Sequence, residues 1–148
     1  MRYFIMEQNR RIPNPIEFNL NGASLKLKRP FTILNKEIKE NIAVDLTIQK
    51  VLFDYHFFLS TELMKVLAMY DNSIIFWPVF IADENEKLSY FRLSMDTTDD
   101  ISDLENKPIH LIYRDKQAFL LVNLYVAESI LRRYPIGITF KEWFSGNI

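Results

Sequence analysis

Tyr134–Phe140 reads YPIGITF, and sixty-four residues earlier Tyr70–Phe76 reads YDNSIIF. Each stretch is a tyrosine, a turn of three residues and an Ile-x-Phe strand start. Ahead of the first, Leu63, Val66, Leu67 and Tyr70 fall at i, i+3, i+4 and i+7, the spacing of one helix face. Ahead of the second, Ala127, Ile130, Leu131 and Tyr134 repeat that spacing. At the constant offset of 64, Leu63 matches Ala127, Val66 matches Ile130, Leu67 matches Leu131, and Ile74 matches Ile138.

Each helical segment also has a start signal. Ser60 follows the strand-like HFFL (His56–Leu59), and a serine side chain accepts a hydrogen bond from an N–H of the first helical turn. Glu62 suits the positive end of the helix dipole. In the second segment Asn123 follows AFLLV (Ala118–Val122) and takes the cap position, slipped by one residue. Arg132 and Arg133 are expected in the last turn, with Pro135-Ile136-Gly137 ending the helix. Asp71-Asn72-Ser73 is the matching turn of the first unit. IIFWPVFI (Ile74–Ile81) reads as a strand whose Pro78 favours an edge position or a bulge.

Around these units lie further strand signals. RYFIM (Arg2–Met6) is apolar about Phe4, and VDLTIQKVLF (Val44–Phe53) alternates at Val44, Leu46 and Ile48. SLKLKR (Ser24–Arg29) alternates at Leu25 and Leu27 after an Asn21-Gly22 turn signal. RIPNPI (Arg11–Ile16) breaks regular structure at its prolines. KLSYFRLS (Lys87–Ser94) and IHLIYRD (Ile109–Asp115) supply two strands between the units. Amphipathic helices need a sheet to cover. The expected fold is α+β, mostly strands in a mixed or antiparallel sheet, with two similar strand–helix–strand units. A single domain over residues 1–148 is expected, with residues 1–50 strand-rich and 51–148 holding the two units.

Composition narrows the function. Hydrophobic residues form 49 % of the 148 and aromatics 14 %, enough to fill a core. Three glycines leave no phosphate-cradling loop, and without cysteine there is no disulfide, zinc-thiolate site or thiol nucleophile. The opening MRYFIMEQNRR lacks the apolar core of a secretory signal, and the longest apolar run, Ile74–Ala82, is too short to span a bilayer. The expected setting is the cytoplasm, without a membrane partner.

Charge is uneven. Residues 1–36 carry seven Lys/Arg against Glu7 and Glu17. Lys26 and Lys28 alternate with apolar residues, as on the solvated face of a sheet, and no helix-turn-helix or RNA-recognition signature occurs. Nucleic acid is not expected as a partner. DTTDDISDLE (Asp96–Glu105) holds five acids and no base: Asp96, Asp99, Asp100, Asp103 and Glu105. A calcium loop starting at Asp96 fails, because Ile101 stands where glycine is needed and Lys107 where glutamate is needed. The stretch is the candidate surface for a basic partner, since clustered carboxylates steer association.

His56 and His110 lie in strand-like apolar segments, where packing or hydrogen bonding is the usual role of a histidine. Asp54 and His56 share a strand face, which admits a small hydrolase as the enzymatic alternative. An adaptor module assembling by strand-edge pairing is a further alternative. No metal, cofactor or catalytic residue is assigned.

The segments FFLSTELMKVLAMYDNSIIFWPVFI (Phe57–Ile81), YFRLS (Tyr90–Ser94), the acidic link, IHLIYRD and AFLLVNLYVAESILRRYPIGITFKEW (Ala118–Trp143) together resemble the immunity proteins of bacterial polymorphic-toxin systems, first catalogued as a domain of unknown function. That family shows a strand, a Ser-capped helix, an F-x-P-V strand, a Tyr-rich strand and a second capped helix ending in G-x-x-F. The resemblance extends over nearly the whole chain, and its motifs are structural. It implies a cytoplasmic protein that binds and blocks a cognate toxin by stoichiometric inhibition.

Overall fold

The computed structural model describes residues 2–11, 31–34, 44–51, 54–82, 87–98 and 107–143. The expected strand Ser24–Arg29, its Asn21-Gly22 turn and the prolines of Arg11–Ile16 fall outside these residues. The described chain is α+β: β1 (Tyr3–Gln8), β2 (Phe31–Leu34), β3 (Leu46–Val51), β4 (Asp54–Leu59), α1 (Thr61–Tyr70), β5 (Ile75–Ala82), β6 (Lys87–Ser94), β7 (Ile109–Arg114), β8 (Gln117–Asn123), α2 (Leu124–Leu131) and β9 (Ile138–Trp143).

The strands divide between two sheets. The first runs β2-β5-β6-β4-β3 and the second β7-β8-β1-β9. All pairings are antiparallel except that of β2 with β5. Pro78 pairs with Phe91 of β6, while the β2 pairing on the other side of β5 spans only Val79–Ala82, so Pro78 sits where β5 has β6 alone as its partner among the described residues.

The two units are equivalent, and β1 completes the second. In the first sheet a hairpin (β3–β4) and a returning strand (β5) flank β6. In the second a hairpin (β7–β8) and a returning strand (β9) flank β1. Registers agree residue by residue. Leu46 faces Leu59 as Ile109 faces Val122; Phe58 faces Arg92 as Leu121 faces Ile5; Phe76 faces Leu93 as Phe140 faces Met6. Polar contacts repeat as well. Tyr90 Oη donates to the Val44 carbonyl at 2.9 Å, and Tyr3 Oη to the Lys107 carbonyl at 2.7 Å. The cap residues Ser60 and Asn123 each donate their backbone N–H, at 2.9 Å, to the carbonyls of Asp45 and Pro108.

One expectation is corrected. The offset is not 64 throughout. From the hairpins through the caps and helices, equivalent residues stand 63 apart, as in Ser60 with Asn123 and the buried pairs Leu63 with Val126 and Leu67 with Ile130. Only after the helices, at Ile75 with Thr139 and Phe76 with Phe140, is it 64. The extra residue goes into the second turn, where α2 stops at Leu131 while α1 continues to Tyr70. Tyr134 therefore does not close the apolar face of α2. It lies past the helix in the left-handed region, with φ 51°. Arg132 is the C-cap rather than a last-turn residue, and Arg133 reaches back to donate to the Ser129 carbonyl at 2.7 Å.

Both sheets and both helices share one core. Met6, Leu120 and Val122 of the second sheet meet Leu46, Phe57 and Leu59 of the first, with Leu63, Leu67, Val126 and Ile130 from the helices. A smaller cluster of Tyr3, Ile5, Ile112 and Leu121 lies on the other face of the second sheet, with Trp143 packed against it.

Candidate functional site

The helix pair presents the first candidate surface. Tyr70 Oη donates to the Tyr125 carbonyl at 3.4 Å, joining the end of α1 to the start of α2. At the other end Asp45, Glu62, Val66, Ile130, Arg133 and Pro135 line a small cavity of about 120 Å³, so the helices run antiparallel. The carboxylate of Asp45 holds this end together. Its Oδ1 accepts from Ser60 Oγ at 2.6 Å and its Oδ2 from the Ile136 N–H at 2.7 Å. Ser60 Oγ in turn accepts from the Leu63 N–H.

With the inner faces packed, α1 and α2 turn Met69, Tyr125 and Leu131 outward, exposed by 70 %, 64 % and 52 %. Tyr134 follows on the adjoining turn with 88 % exposure. Aromatic residues and methionine are enriched in protein interfaces, and these four exposed side chains on the two helices and the following turn have that composition. Spacing alone assigned Leu131 and Tyr134 to the core. The signal that could have placed them outside was Pro135, which shortens the helix.

The second candidate is a groove of about 830 Å³ at the opposite end of the strands. Ile48 and Phe57 from the first sheet and Ala118 and Leu120 from the second form its apolar floor. Arg10, Arg11 and Lys50 stand at its rim with Glu7. Asn9 fixes the turn that carries the two arginines: its N–H donates to the Gly137 carbonyl at 2.8 Å, and its Oδ1 accepts from the Arg11 N–H at 3.0 Å. The Lys50 ammonium lies 5.6 Å from the ring centre of Tyr55, which meets Tyr113 edge-on across the sheets.

Of the acidic residues singled out from sequence, Asp96 is exposed just after β6. Asp99, Asp100, Asp103 and Glu105 lie outside the described residues.

Asp54 and His56 share one face of β4, with Asp54 exposed and His56 half-buried. Burial and the nearby Arg92 guanidinium lower the His56 pKa, and Asp54 offsets part of this. The imidazole is thereby neutral near pH 7 and shares its surroundings with a buried cation. His110 is packed in the structural role expected of it. Its Nδ1 lies 2.9 Å from Thr98 Oγ1, and its ring meets Tyr3 edge-on at 5.4 Å. It occupies the position equivalent to Thr47, also buried.

Among the described residues, no helix is long and apolar enough to cross a membrane. Comparison of the chain with protein-family models and with curated proteins finds no match.

Proposed function

We propose that the protein is a cytoplasmic immunity protein that binds a cognate toxin domain and blocks it stoichiometrically, with the outward face of the helix pair as its docking surface. The observation that carries this reading is the exposure of Met69, Tyr125, Leu131 and Tyr134 on two packed helices and the adjoining turn. The sequence resemblance to polymorphic-toxin immunity proteins supports the class of partner. Tyr134 adds a physical reason. A non-glycine residue in the left-handed region costs of order 1 kcal/mol, and such strain at an exposed aromatic is retained where the side chain has a use. The five acids Asp96, Asp99, Asp100, Asp103 and Glu105 would speed encounter with a basic toxin rather than form the buried contact.

The test is whether the adjacent gene encodes a protein with a toxic domain and, if so, co-expression with that domain. The wild type is expected to rescue growth and co-purify with the domain. Tyr125→Ala with Tyr134→Ala is expected to lose both while keeping its thermal unfolding temperature, since neither side chain is buried. Neutralising the five acids is expected to slow association and flatten its salt dependence. Failure of the wild type to rescue growth or bind would sink the reading.

A further inference from the structure

Among the described residues, the two equivalent units differ in what lies along their edge strands, and the difference falls in the groove. In the second unit the edge of β7 is covered. After β6 the chain crosses over, Thr97 bridges Leu111 in parallel, and the Thr98 N–H donates to the Leu111 carbonyl at 2.7 Å. The equivalent residue of the first unit is Ile48 on β3, the last strand of its sheet. There the chain leaving β1 turns away at Asn9. Among the described residues, the contact made on that edge is a single side-chain bond, from the Ile48 N–H to Gln8 Oε1 at 3.0 Å. In an antiparallel pair alternate residues direct both backbone groups away from the partner, so the Ile48 carbonyl and the Lys50 N–H face the same way as the Ile48 N–H. The carbonyl that Thr98 satisfies in one unit faces the groove in the other.

We propose that this groove binds an extended acidic segment of a partner protein, added as a strand along β3. Thr97–Thr98 on β7 shows, within this molecule, the backbone arrangement such a segment would adopt. The rim selects the charge, because among the described residues Arg10, Arg11 and Lys50 outnumber Glu7. All three cations are exposed. Ile48, Phe57, Ala118 and Leu120 offer an apolar floor for alternate side chains of the added strand. A strand edge flanked by cations also repels further copies of a basic edge, so the same residues that admit an acidic strand guard against indiscriminate pairing. The site is separate from the helix face and does not depend on the toxin reading.

The probe is a fluorescein-labelled eight-residue peptide of alternating Glu and Val, with a Lys–Val peptide of equal length and a Glu–Val peptide N-methylated at alternate residues. Fluorescence anisotropy is expected to show binding of the Glu–Val peptide, weakened about tenfold by Lys50→Glu with Arg11→Glu. The N-methylated peptide, which leaves the protein unchanged, is expected to bind no better than the Lys–Val peptide. Tyr125→Ala with Tyr134→Ala is expected to leave peptide binding intact, so failure of the toxin reading and failure of this one are told apart. Absence of Glu–Val binding to the wild type, or equal binding of the Lys–Val peptide, overturns the proposal. So does a homodimer in sedimentation that the Lys50→Glu, Arg11→Glu variant dissociates, which would assign the groove to a second copy of this chain.

Discussion

At the scale of single residues, the chain is held at a few points where distant segments meet. Gly137 is one. Its φ is 83°, and a Cβ built on it would stand 3.1 Å from both Cβ and Cγ1 of Val44. Gly137→Ala combines backbone strain with a crowded contact to a buried side chain. It is expected to cost about 1–3 kcal/mol in urea unfolding. An unchanged midpoint would show that the turn relaxes freely. Tyr90 is another. Its hydroxyl is buried against the Val44 carbonyl, and burial, with the Asp45 carboxylate adding to it, pushes the phenol up to about 12. The unfolded phenol titrates near 10. The folded state therefore holds the proton that the unfolded chain gives up, and the associated stability is intact below pH 10 and lost as pH rises towards 12. Tyr90→Phe is expected to cost about 1 kcal/mol at neutral pH and to make the decline between pH 10 and 12 shallower than in the wild type. Parallel declines would remove Tyr90 as its source.

At the scale of elements, the two helices start alike and end differently. Both caps were legible, since Ser60 and Asn123 precede apolar residues at helical spacing and each accepts from the N–H three residues on. Their surroundings were not legible. Asn123 Oδ1 caps α2, whereas Ser60 Oγ also donates to Asp45, and Asp45 reaches Ile136 at the far end of the other helix. No local pattern marks a link between residues 45, 60 and 136. Asn123→Ala is expected to cost about 1 kcal/mol. Ser60→Ala is expected to cost more, about 2 kcal/mol, because it also strips a donor from a carboxylate. Equal losses would mean that Asp45 finds a substitute partner. The end of α2 was misplaced for a related reason. Leu131 and Tyr134 keep apolar helical spacing, but spacing does not report where the helix stops, and the chain leaves it after Leu131 with Tyr134 in the left-handed region. The exposure of Tyr134, one of the four residues proposed to meet a partner, follows from that helix end. The groove left no pattern at all, since its walls come from β1, β3, β4, β8 and β9.

At the scale of the molecule, the repeat in YDNSIIF and YPIGITF belongs to a pair of interlocked units. Local sequence showed the strand, cap, helix and returning strand of each. It did not show that β1, at the other end of the chain, is to the second unit what β6 is to the first, because strand pairing over more than a hundred residues has no local signature. The scaffold explains where binding surfaces arise. Repeated contacts occupy the inner faces and the tyrosine–carbonyl bonds. Among the described residues, the units depart from symmetry at the shortened α2, which is followed by the exposed Tyr134, and at the β3 edge, which borders the groove.

The equivalence of β1 and β6 can be tested by moving β1. Tyr3 pairs with Trp143, so the two strand ends are neighbours and can be joined. A circular permutant carrying Met1–Arg11 after Ile148, and beginning at Ile12, places β1 after β9 as β6 follows β5. Amide hydrogen exchange across β7, β8 and β9 is the measurement. Protection equal to that of the parent, with one cooperative unfolding transition, is the predicted result. Loss of protection in β8 and β9 while the rest of the permutant stays folded would contradict the account.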